Sequence, residues 1–474
     1  MEVLSLKSFK KENSISEYKL AKGGFPKSFW ETYSAFANTN GGDIYLGVGE
    51  KNGEIIIFNM DDETIDRYKK ELFSTANNIN KVNVNILSDE DVAIINVDGS
   101  KILKIHVKRC PIELRPVYIN ANVYQGTYRR NNEGDYHCSV EEINSMIRDA
   151  STKSLDLKIL EDHSIESLDK ESIRIYRNLF ASFHINHPFL REGDNRFLEF
   201  IGAARMSNDG TYHPTAAGLL MFGYSYRIVY EYPDFYLDYY KISDTNERWE
   251  DRINSDSGDW SGNIFTFFLR VVDKLSTSLN VPFTTKGIFR DDDTLMHKAI
   301  REAICNTLCN ADYYLSDGIC IKQYKNYIEF KNPGTLMMDV EQMLRGGESH
   351  PRNKTIMKMF NLINVGERSG SGIPLILAAA KEYKLPLPQI DESYHPDRTT
   401  LLLYTKKPSK EEKITALQEK IIECLENNSE MSAKEISDYL SKNVTTIKMS
   451  LYDLVDKNIV KSTGTIKNKR YSLK

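Results

Sequence analysis

The length of the chain most constrains its fold, because 474 residues are too many for one hydrophobic core. At roughly 150 residues per domain, this length predicts about three domains. Apolar residues make up 41% and charged residues 27% of the chain, which is typical of globular proteins and excludes a disordered or collagen-like chain. Helical and strand periodicities alternate without an internal repeat, so we expect an α+β multidomain protein built from unrelated modules in series.

The apolar segments also limit the protein's surroundings. The longest, such as 216–222 and 373–380, are far shorter than the ~18 residues that a membrane span needs. Lysines interrupt the N-terminus, where a secretory signal would be apolar. We therefore expect no membrane partner and a cytoplasmic location. The six cysteines include no CxxC pair, so we expect buried thiols, not disulfides or a zinc site.

The first 150 residues carry a basic, tyrosine-rich stretch. Residues 101–130 contain seven Lys and Arg residues and one acidic residue, although the net charge of the whole chain is −5. Basic groups contact phosphates and aromatic faces accept stacked bases, so this mixture suits single-stranded or looped nucleic acid. A solvated basic face with half-buried tyrosines is the alternative. We also expect 117–118 and 123–124 to form the arms of a hairpin.

Three carboxylates in the same region form a second candidate site. Glu12 and Glu17 are five residues apart, and Glu50 follows the first clear strand. Acidic side chains that converge on a divalent cation can hold it, and such a metal can activate water and neutralise a phosphodiester. Scattered surface glutamates are the alternative.

Several motifs of this region occur in the order of a known family. The matching segments are Glu12-x4-Glu17-Tyr18-Lys19, Ser34–Gly42, Gly47-Val48-Gly49-Glu50, Arg115-Pro116-Val117-Tyr118 and Tyr128-Arg129-Arg130. Together they resemble the Schlafen-type AlbA nucleic-acid-binding domain.

The resemblance implies roles for individual residues. In the ribonuclease branch of this family, two glutamates and an aspartate form a site for Mg²⁺ or Mn²⁺, which implies catalytic and metal-binding roles for Glu12, Glu17 and Glu50. Glu50 stands where the family usually has aspartate. Many bacterial members are thought to bind nucleic acid without cutting it. The residues expected to contact nucleic acid are Lys19, Arg115, Tyr118, Arg129 and Arg130.

A polar ridge marks a third candidate site in the second half of the chain. The periodicity predicts a helix over Leu295–Asn310, on which Glu302, Asn306 and Asn310 are spaced by four and therefore lie on one face, with Asp312 just beyond. A carboxylate one turn from a carboxamide can orient water and help to hold hydrated Mg²⁺. The alternative is an amphipathic helix whose polar face is exposed to solvent. A glycine-rich loop at 366–373 then precedes an apolar helix, which suits phosphate oxygens.

This part of the chain also resembles a known family. The matching segments are 217–223, Arg301–Asn306, Asn310-x-Asp312-Tyr313, Asn332-Pro333-Gly334, Arg352-Asn353 and Gly370-Ser371-Gly372-Ile373. They resemble the GHKL-type ATP-binding domain of RecG-related bacterial proteins and transcriptional regulators, which has an α/β sandwich fold.

The second resemblance implies ATP and Mg²⁺ as cofactors. Glu302 falls on the general base of the family and Asn306 on its Mg²⁺ ligand. Two departures stand out, since Asn310 replaces the usual histidine and Asn332-Pro333-Gly334 replaces the Asp-x-Gly-x-Gly box. The further residues expected to contact the cofactor are Asn310, Asp312, Asn332, Gly334, Gly370 and Gly372.

The last 60 or so residues read as a winged helix-turn-helix. Three helices are predicted, the second opening with a capping box at Ser432–Glu435, and a two-stranded wing turns at Gly464. From residue 434 onward nine basic residues face four acidic ones. Duplex contact is therefore expected, and a protein–protein winged helix is the alternative. The candidate contacts are Thr446, Lys448, Lys469 and Arg470.

The sequence thus predicts four regions. Residues 1–150 are the AlbA-type domain, 166–290 a connecting α/β scaffold, 291–405 the GHKL-type domain and 412–474 the winged helix, with 151–165 as a linker. We expect an ATP-binding nucleic-acid effector, in its enzymatic version a ribonuclease that acts on tRNA or other structured RNA in phage defence or stress. The rival hypothesis is a DNA-binding transcriptional regulator tuned by nucleotide. Resemblance to GHKL proteins also implies a homo-oligomer.

Overall fold

The computed structural model describes residues 2–6, 9, 12–51, 54–243, 249–279, 284–286, 289–291, 294–366, 370–407, 416–428, 430–440, 442–456, 459–463 and 469–473. These form two compact units, Met1–Thr152 and Lys153–Lys474. Both units combine helices with sheets, so the protein is a mixed α+β multidomain protein, as expected. Within the described part of the chain, no helix has both the length and the apolar character needed to cross a membrane.

A five-stranded sheet in the order β1-β6-β7-β3-β2 forms the centre of the first unit. Two hairpins, β4-β5 and β8-β9, accompany it. The strands are β1 (Glu2–Leu4), β2 (Ser16–Lys19), β3 (Gly42–Leu46), β4 (Val48–Lys51), β5 (Glu54–Ile57), β6 (Val92–Val97), β7 (Ser100–Val107), β8 (Tyr128–Asn131) and β9 (Gly134–His137). The helices are α1 (Phe29–Ala37), α2 (Asp62–Ala76), α3 (Val123–Gly126) and α4 (Val140–Asp149).

The C-terminal end of α1 binds backbone groups far along the chain. Asn38 donates from Nδ2 to the carbonyl oxygens of Val117 and Tyr128 and accepts from the Val117 amide. Thr39 accepts from the Arg130 amide through Oγ1. These side chains satisfy buried backbone groups of Val117 and of β8, so α1 fixes the position of β8 and of the segment before it.

The expected hairpin at 117–124 is only half present. Tyr118 pairs with Thr127, whereas Val123 lies in the short helix α3. The cause is local, because the Asn122 side chain accepts from the amides of Tyr124 and Gln125 and so caps a helical turn.

The second unit contains a six-stranded sheet in the order β13-β12-β16-β17-β19-β18. Its inner face belongs to one hydrophobic core that extends in sequence from Leu160 to Leu403, so the regions 166–290 and 291–405 share a sheet and a core. The strands of this unit up to residue 404 are β10 (Ala204–Met206), β11 (Tyr212–Pro214), β12 (Leu237–Lys241), β13 (Asp251–Asn254), β14 (Thr284–Lys286), β15 (Phe289–Asp291), β16 (Ile319–Gln323), β17 (Tyr327–Pro333), β18 (Gln389–Ser393) and β19 (Arg398–Tyr404).

Helices cover the inner face of this sheet. One of them, α10, has the bounds expected from its apolar periodicity, and α5 begins where the Asp169 side chain accepts from the Glu171 and Ser172 amides. The helices are α5 (Lys170–Phe183), α6 (Asp194–Ile201), α7 (Ala216–Phe222), α8 (Ser225–Glu231), α9 (Ile264–Ser278), α10 (Leu295–Asn310), α11 (Val340–Arg345), α12 (Lys354–Leu362) and α13 (Gly372–Glu382).

Part of the segment 151–165 is anchored to the second unit, in contrast to the expected linker. Asp156 is buried and accepts from the Thr355 and Ile356 amides at 2.6 and 3.0 Å. Its carboxylate therefore caps the start of α12 from a position about 200 residues earlier in the chain. A polar composition indicated a linker, but the partner that holds Asp156 is remote in sequence.

The C-terminal residues form three helices and a small antiparallel sheet around a separate core. The helices are α14 (Ala416–Asn427), α15 (Ala433–Leu440) and α16 (Val444–Asp456), and the strands are β20 (Met431–Ser432), β21 (Val460–Thr463) and β22 (Arg470–Leu473), in the order β20-β22-β21. The expected capping box is present, since Ser432 and Glu435 exchange side-chain to backbone hydrogen bonds. The expected turn at Gly464 lies outside the described residues.

Candidate nucleotide pocket and nucleic-acid surfaces

The polar ridge of α10 faces a cleft. Glu302 is only 5% exposed, and Asn306 donates from Nδ2 to Glu302 Oε1 at 3.1 Å. Asn310 donates to the Asn306 carbonyl at 2.9 Å and accepts from the Arg352 amide at 3.4 Å. The four-residue spacing thus places Asn306 within hydrogen-bonding reach of the Glu302 side chain and Asn310 within reach of the Asn306 backbone.

The start of α13 lies directly against this series. A Cβ atom on Gly372 would overlap Oε1 of Glu302, and one on Gly370, whose φ is +68°, would overlap the backbone of Glu348. Only glycine therefore lets the two segments approach so closely. The amides of Gly372 and Ile373 lie in the first turn, where no helical carbonyl can accept from them. Amides in this position favour anionic groups.

The cleft holds about 850 Å³ of empty space, a volume that includes open solvent at its mouth. The expected general base Glu302 and five of the expected cofactor residues line it: Asn306, Asn310, Asn332, Gly370 and Gly372. Several apolar lining residues were not anticipated, because a Met residue in a sequence is usually a core residue; they are Leu336, Met337, Met338, Met343 and Ile390. The cleft thus has a polar end and an apolar end.

Two expected cofactor residues lie beside the cleft, outside its lining. Asp312 is buried and accepts from the Tyr314 amide at 3.1 Å. Gly334 has φ +96°, and its carbonyl accepts from Thr399 Oγ1 at 2.9 Å. The Asp312 amide donates to the Pro333 carbonyl at 3.0 Å, so both residues adjoin the turn that contains Asn332 and Thr335.

The residues of the cleft fit a magnesium nucleotide. Glu302, Asn306 and Asn310 supply oxygen atoms, the ligand type that Mg²⁺ prefers, and the close approach at Gly372 keeps side-chain bulk away from the helix start. Among the described lining residues there is no Lys or Arg, and His350 is present.

The carboxylates of the first unit lie in different surroundings. Glu17 is clamped between Lys19 Nζ at 2.9 Å and Arg130 Nη2 at 2.8 Å. Glu12 accepts from the Tyr18 amide at 2.7 Å. Burial raises the pKa of the Glu12 carboxyl, and the negative charge of Glu17 raises it further. These two carboxylates are therefore electrostatically coupled.

Glu50 is exposed on the hairpin strand β4. Within the described residues, no group of three or more Asp, Glu, His and Cys side chains is arranged to hold a metal ion. The structure therefore brings Glu12 and Glu17 near each other, without Glu50 completing such a group.

The basic residues expected to contact nucleic acid are mostly inside the first unit. Arg129 is buried and pairs with Glu142 at 3.0 Å. Arg115 is buried, with Nε donating to the Cys110 carbonyl at 2.7 Å. Tyr118 is half-buried, with its amide donating to the Asn83 side chain. Arg130 and Lys19 hold Glu17, as described above.

Three lysines in and just after β7 are also paired, with acids from other parts of the unit. The distances are 2.6 Å for Lys101–Asp62, 2.9 Å for Lys104–Asp43 and 2.7 Å for Lys108–Asp91. Since each acid lies outside the stretch 101–130, the local excess of positive charge in the sequence is balanced in the fold.

The C-terminal candidates are exposed. Thr446 and Lys448 lie on the outer side of α16. Lys469 lies over the Tyr471 ring at 5.7 Å, and Arg470 pairs with Glu435 at 3.3 Å. A phosphate backbone can reach these four side chains more readily than the buried arginines of the first unit.

Family comparisons agree with the two resemblances. Residues 10–139 match the family described as "Schlafen, AlbA_2" and residues 317–402 match "Putative ATP-dependent DNA helicase recG C-terminal". Residues 144–238 match a domain family of unknown function. The chain therefore carries a Schlafen-type AlbA region followed by a RecG-related C-terminal region, which confirms the combination that its motifs predict.

Two solved structures are similar to parts or all of the chain. The DIP2311 protein from Corynebacterium diphtheriae is 14% identical with a TM-score of 0.42, over 99% of this chain and 95% of that one. The N-terminal domain of a RecG-related protein from Nitrosomonas europaea is 24% identical with a TM-score of 0.21, over 28% of this chain and 89% of that one. No curated protein sequence matches.

Proposed function

We propose that the protein is an ATP-binding nucleic-acid effector whose nucleotide occupies the cleft between α10 and α13. The observation that carries this proposal is the contact between the Glu302 carboxylate and Gly372, which joins a buried acid to a helix start. In this proposal residues 291–405 are a GHKL-type α/β sandwich, residues 1–150 an AlbA-type domain and residues 412–474 a winged helix. The protein acts in the cytoplasm, as a homo-oligomer.

In such a site, different residues of the cleft contact the phosphates, the base, Mg²⁺ and the attacking water. The amides of Gly372 and Ile373 donate to phosphate oxygens, and the apolar end with Met337 and Met343 takes the base. The oxygens of Asn306 and Asn310 would hold Mg²⁺, which neutralises phosphate charge when bound. The Glu302 carboxylate, oriented by Asn306, accepts a proton from an attacking water.

One variant distinguishes ATP binding from ATP hydrolysis. Glu302→Gln keeps the shape of the side chain and removes its basicity, so MgATP should still bind while hydrolysis falls by about 100-fold or more. Isothermal titration and a phosphate-release assay measure the two effects. Equal hydrolysis by wild type and variant would rule out Glu302 as the base.

Substitutions at two separate glycines test the nucleotide cleft. Gly372→Ala should abolish ATP binding because its methyl group would overlap Glu302, whereas a Cβ on Gly193 meets nothing within 4 Å, so Gly193→Ala serves as the matched control. Unchanged ATP affinity in Gly372→Ala, with a folded protein by circular dichroism, would contradict the nucleotide site.

A second candidate activity is metal-dependent cleavage of tRNA or other structured RNA, in phage defence or stress. The coupling of Glu12 and Glu17 favours it, since a divalent cation relieves repulsion between neighbouring carboxylates. The competing version is a nucleotide-tuned, DNA-binding transcriptional regulator without nuclease activity. The clamp of Lys19 and Arg130 on Glu17 favours that version, because it already neutralises the carboxylate.

Incubation of labelled tRNA with Mn²⁺ distinguishes the two versions. The nuclease version expects cleavage by wild type and its loss in Glu17→Ala. Because Glu17→Ala also leaves Arg130 without one of its partners, Glu50→Ala on the exposed hairpin is a second variant that spares the interior. The exposed Glu63→Ala is the matched control. If wild type does not cut in the presence of Mn²⁺, the regulator version stands.

A further inference from the structure

Strand β18 has one face in the nucleotide cleft and the other outside it. Ile390 lines the cleft, and Glu392 Oε1 accepts from the amide of Leu336, another lining residue, at 2.6 Å. Because side chains alternate along a strand, Asp391 between them points to the opposite face of the sheet. One short strand thus belongs both to the cleft and to the outer surface.

Helix α16 is docked on that outer surface. Thr445 Oγ1, in the first turn of α16, donates to Asp391 Oδ1 at 3.4 Å. Burial raises the pKa of Asp391, and hydrogen bonds from Asn443 and Thr445 offset only part of that rise. Further along the helix, the ring of Tyr452 lies 6.5 Å from that of Tyr404 on β19. Two turns of α16 therefore contact the sheet.

The docked end of α16 is the end that a duplex would use. In a helix-turn-helix, the N-terminal residues of the third helix read bases, and the helix start attracts phosphate. A carboxylate at the helix start takes the place of a phosphate group. Asp391 lies there and accepts hydrogen bonds from Thr445 and Asn443. Lys448, one turn further on, stays exposed, so docking covers only part of the proposed duplex surface.

We propose that β18 couples the nucleotide cleft to the C-terminal helices: the acidic strand masks the duplex-binding end of α16, and nucleotide in the cleft alters that contact through Glu392. The inference rests on the proposed function and adds its regulation. By linkage, nucleotide and duplex must then change each other's affinity by the same factor.

The masking contact is tested with Asp391→Ala in the full chain. Release of α16 should raise affinity for a labelled mixed-sequence DNA duplex by about tenfold at fixed salt, as expected for a lost hydrogen bond to a charged group. Asp273→Ala on α9 removes the same charge from an exposed position and controls for net charge, which alone affects binding to DNA. Equal affinities of the two variants would overturn the masking.

The coupling is tested with Glu392→Ala. In wild type, saturating ATP should change duplex affinity by about fivefold or more, and in Glu392→Ala this change should disappear while ATP still binds. If ATP leaves the duplex affinity of wild type unaltered, the coupling is wrong.

Hydrogen exchange separates this inference from the function on which it rests. Peptides covering 443–452 should exchange faster in Asp391→Ala than in Asp273→Ala, with or without DNA. If exchange is faster in Asp391→Ala while no variant binds the duplex, that result overturns the nucleic-acid role of residues 412–474 and supports the contact between Asp391 and α16. Duplex binding with unchanged exchange and unchanged affinity overturns the inference alone.

Discussion

Replacing Arg130 by methionine should destabilise the first unit strongly. The side chain is 1% exposed, and its guanidinium pairs with Glu17 at 2.8 Å and Asp135 at 2.9 Å, each of which is 13% exposed. It also donates to the Asn13 carbonyl at 2.9 Å. Removing one partner of a buried ion pair typically costs about 3–5 kcal/mol, because the other charge stays buried.

The lower end of that range applies here. Glu17 keeps Lys19 at 2.9 Å, and Asp135 keeps the Thr32 hydroxyl at 2.6 Å, so neither acid is left alone. We therefore expect a loss of about 3 kcal/mol in the free energy of unfolding, which for a domain of this size lowers the Tm by about 6–12 °C. The variant Arg130→Met/Glu17→Gln should recover part of the loss.

Calorimetry of the full chain, with hydrogen exchange to assign the transition to the first unit, measures this effect. Arg67→Met is the control, because Arg67 is exposed on α2 and such changes usually stay within about 0.5 kcal/mol. If Arg130→Met unfolds within about 1 kcal/mol of wild type, the buried-clamp reasoning fails. In that case, the role in nucleic-acid contact expected from the sequence becomes the better explanation of this residue.

For three further substitutions, the structure predicts the direction of the change in stability. The raised pKa of Glu12 means that the folded state binds its proton more tightly than the unfolded chain, so stability falls as pH rises from 4.5 through the raised value. Glu12→Gln should remove that fall in denaturant titrations at several pH values, and equal slopes would contradict it. Asp156→Asn should cost about 3 kcal/mol in urea unfolding because Thr355 and Ile356 lose a charged acceptor; a cost below 1 kcal/mol would contradict the remote cap. Gly218→Ala should cost about 3 kcal/mol or more, since its methyl group would overlap a backbone carbonyl; a Tm equal to that of wild type would refute it.

Much of the local structure could be predicted from the sequence, because local signals determine it. The bounds of α10 follow from a stripe of apolar residues, and the start of α15 follows from the Ser432–Glu435 capping box. The polar ridge of Glu302, Asn306 and Asn310 needed only the four-residue spacing of a helix. Such features depend on neighbours within one or two turns.

The rest depended on partners far apart in sequence. A count of charges in residues 101–130 cannot reveal that Asp62, Asp43 and Asp91 pair with Lys101, Lys104 and Lys108. The position of Asp156 depends on α12, and the apolar end of the cleft depends on Met337, Met338 and Met343, which lie in a loop and in α11. In each case long-range packing decided what local composition left open.

The contacts of Asn38 also have a consequence for synthesis of the protein. Its amide reaches the carbonyls of Val117 and Tyr128, which lie 79 and 90 residues later. A ribosome that has made α1 must therefore extend the chain past β8 before the polar end of that helix finds its partners. Contacts of such separation slow folding, so nascent chains stopped between α1 and β8 should be the ones that engage chaperones, and chains released after β9 should not.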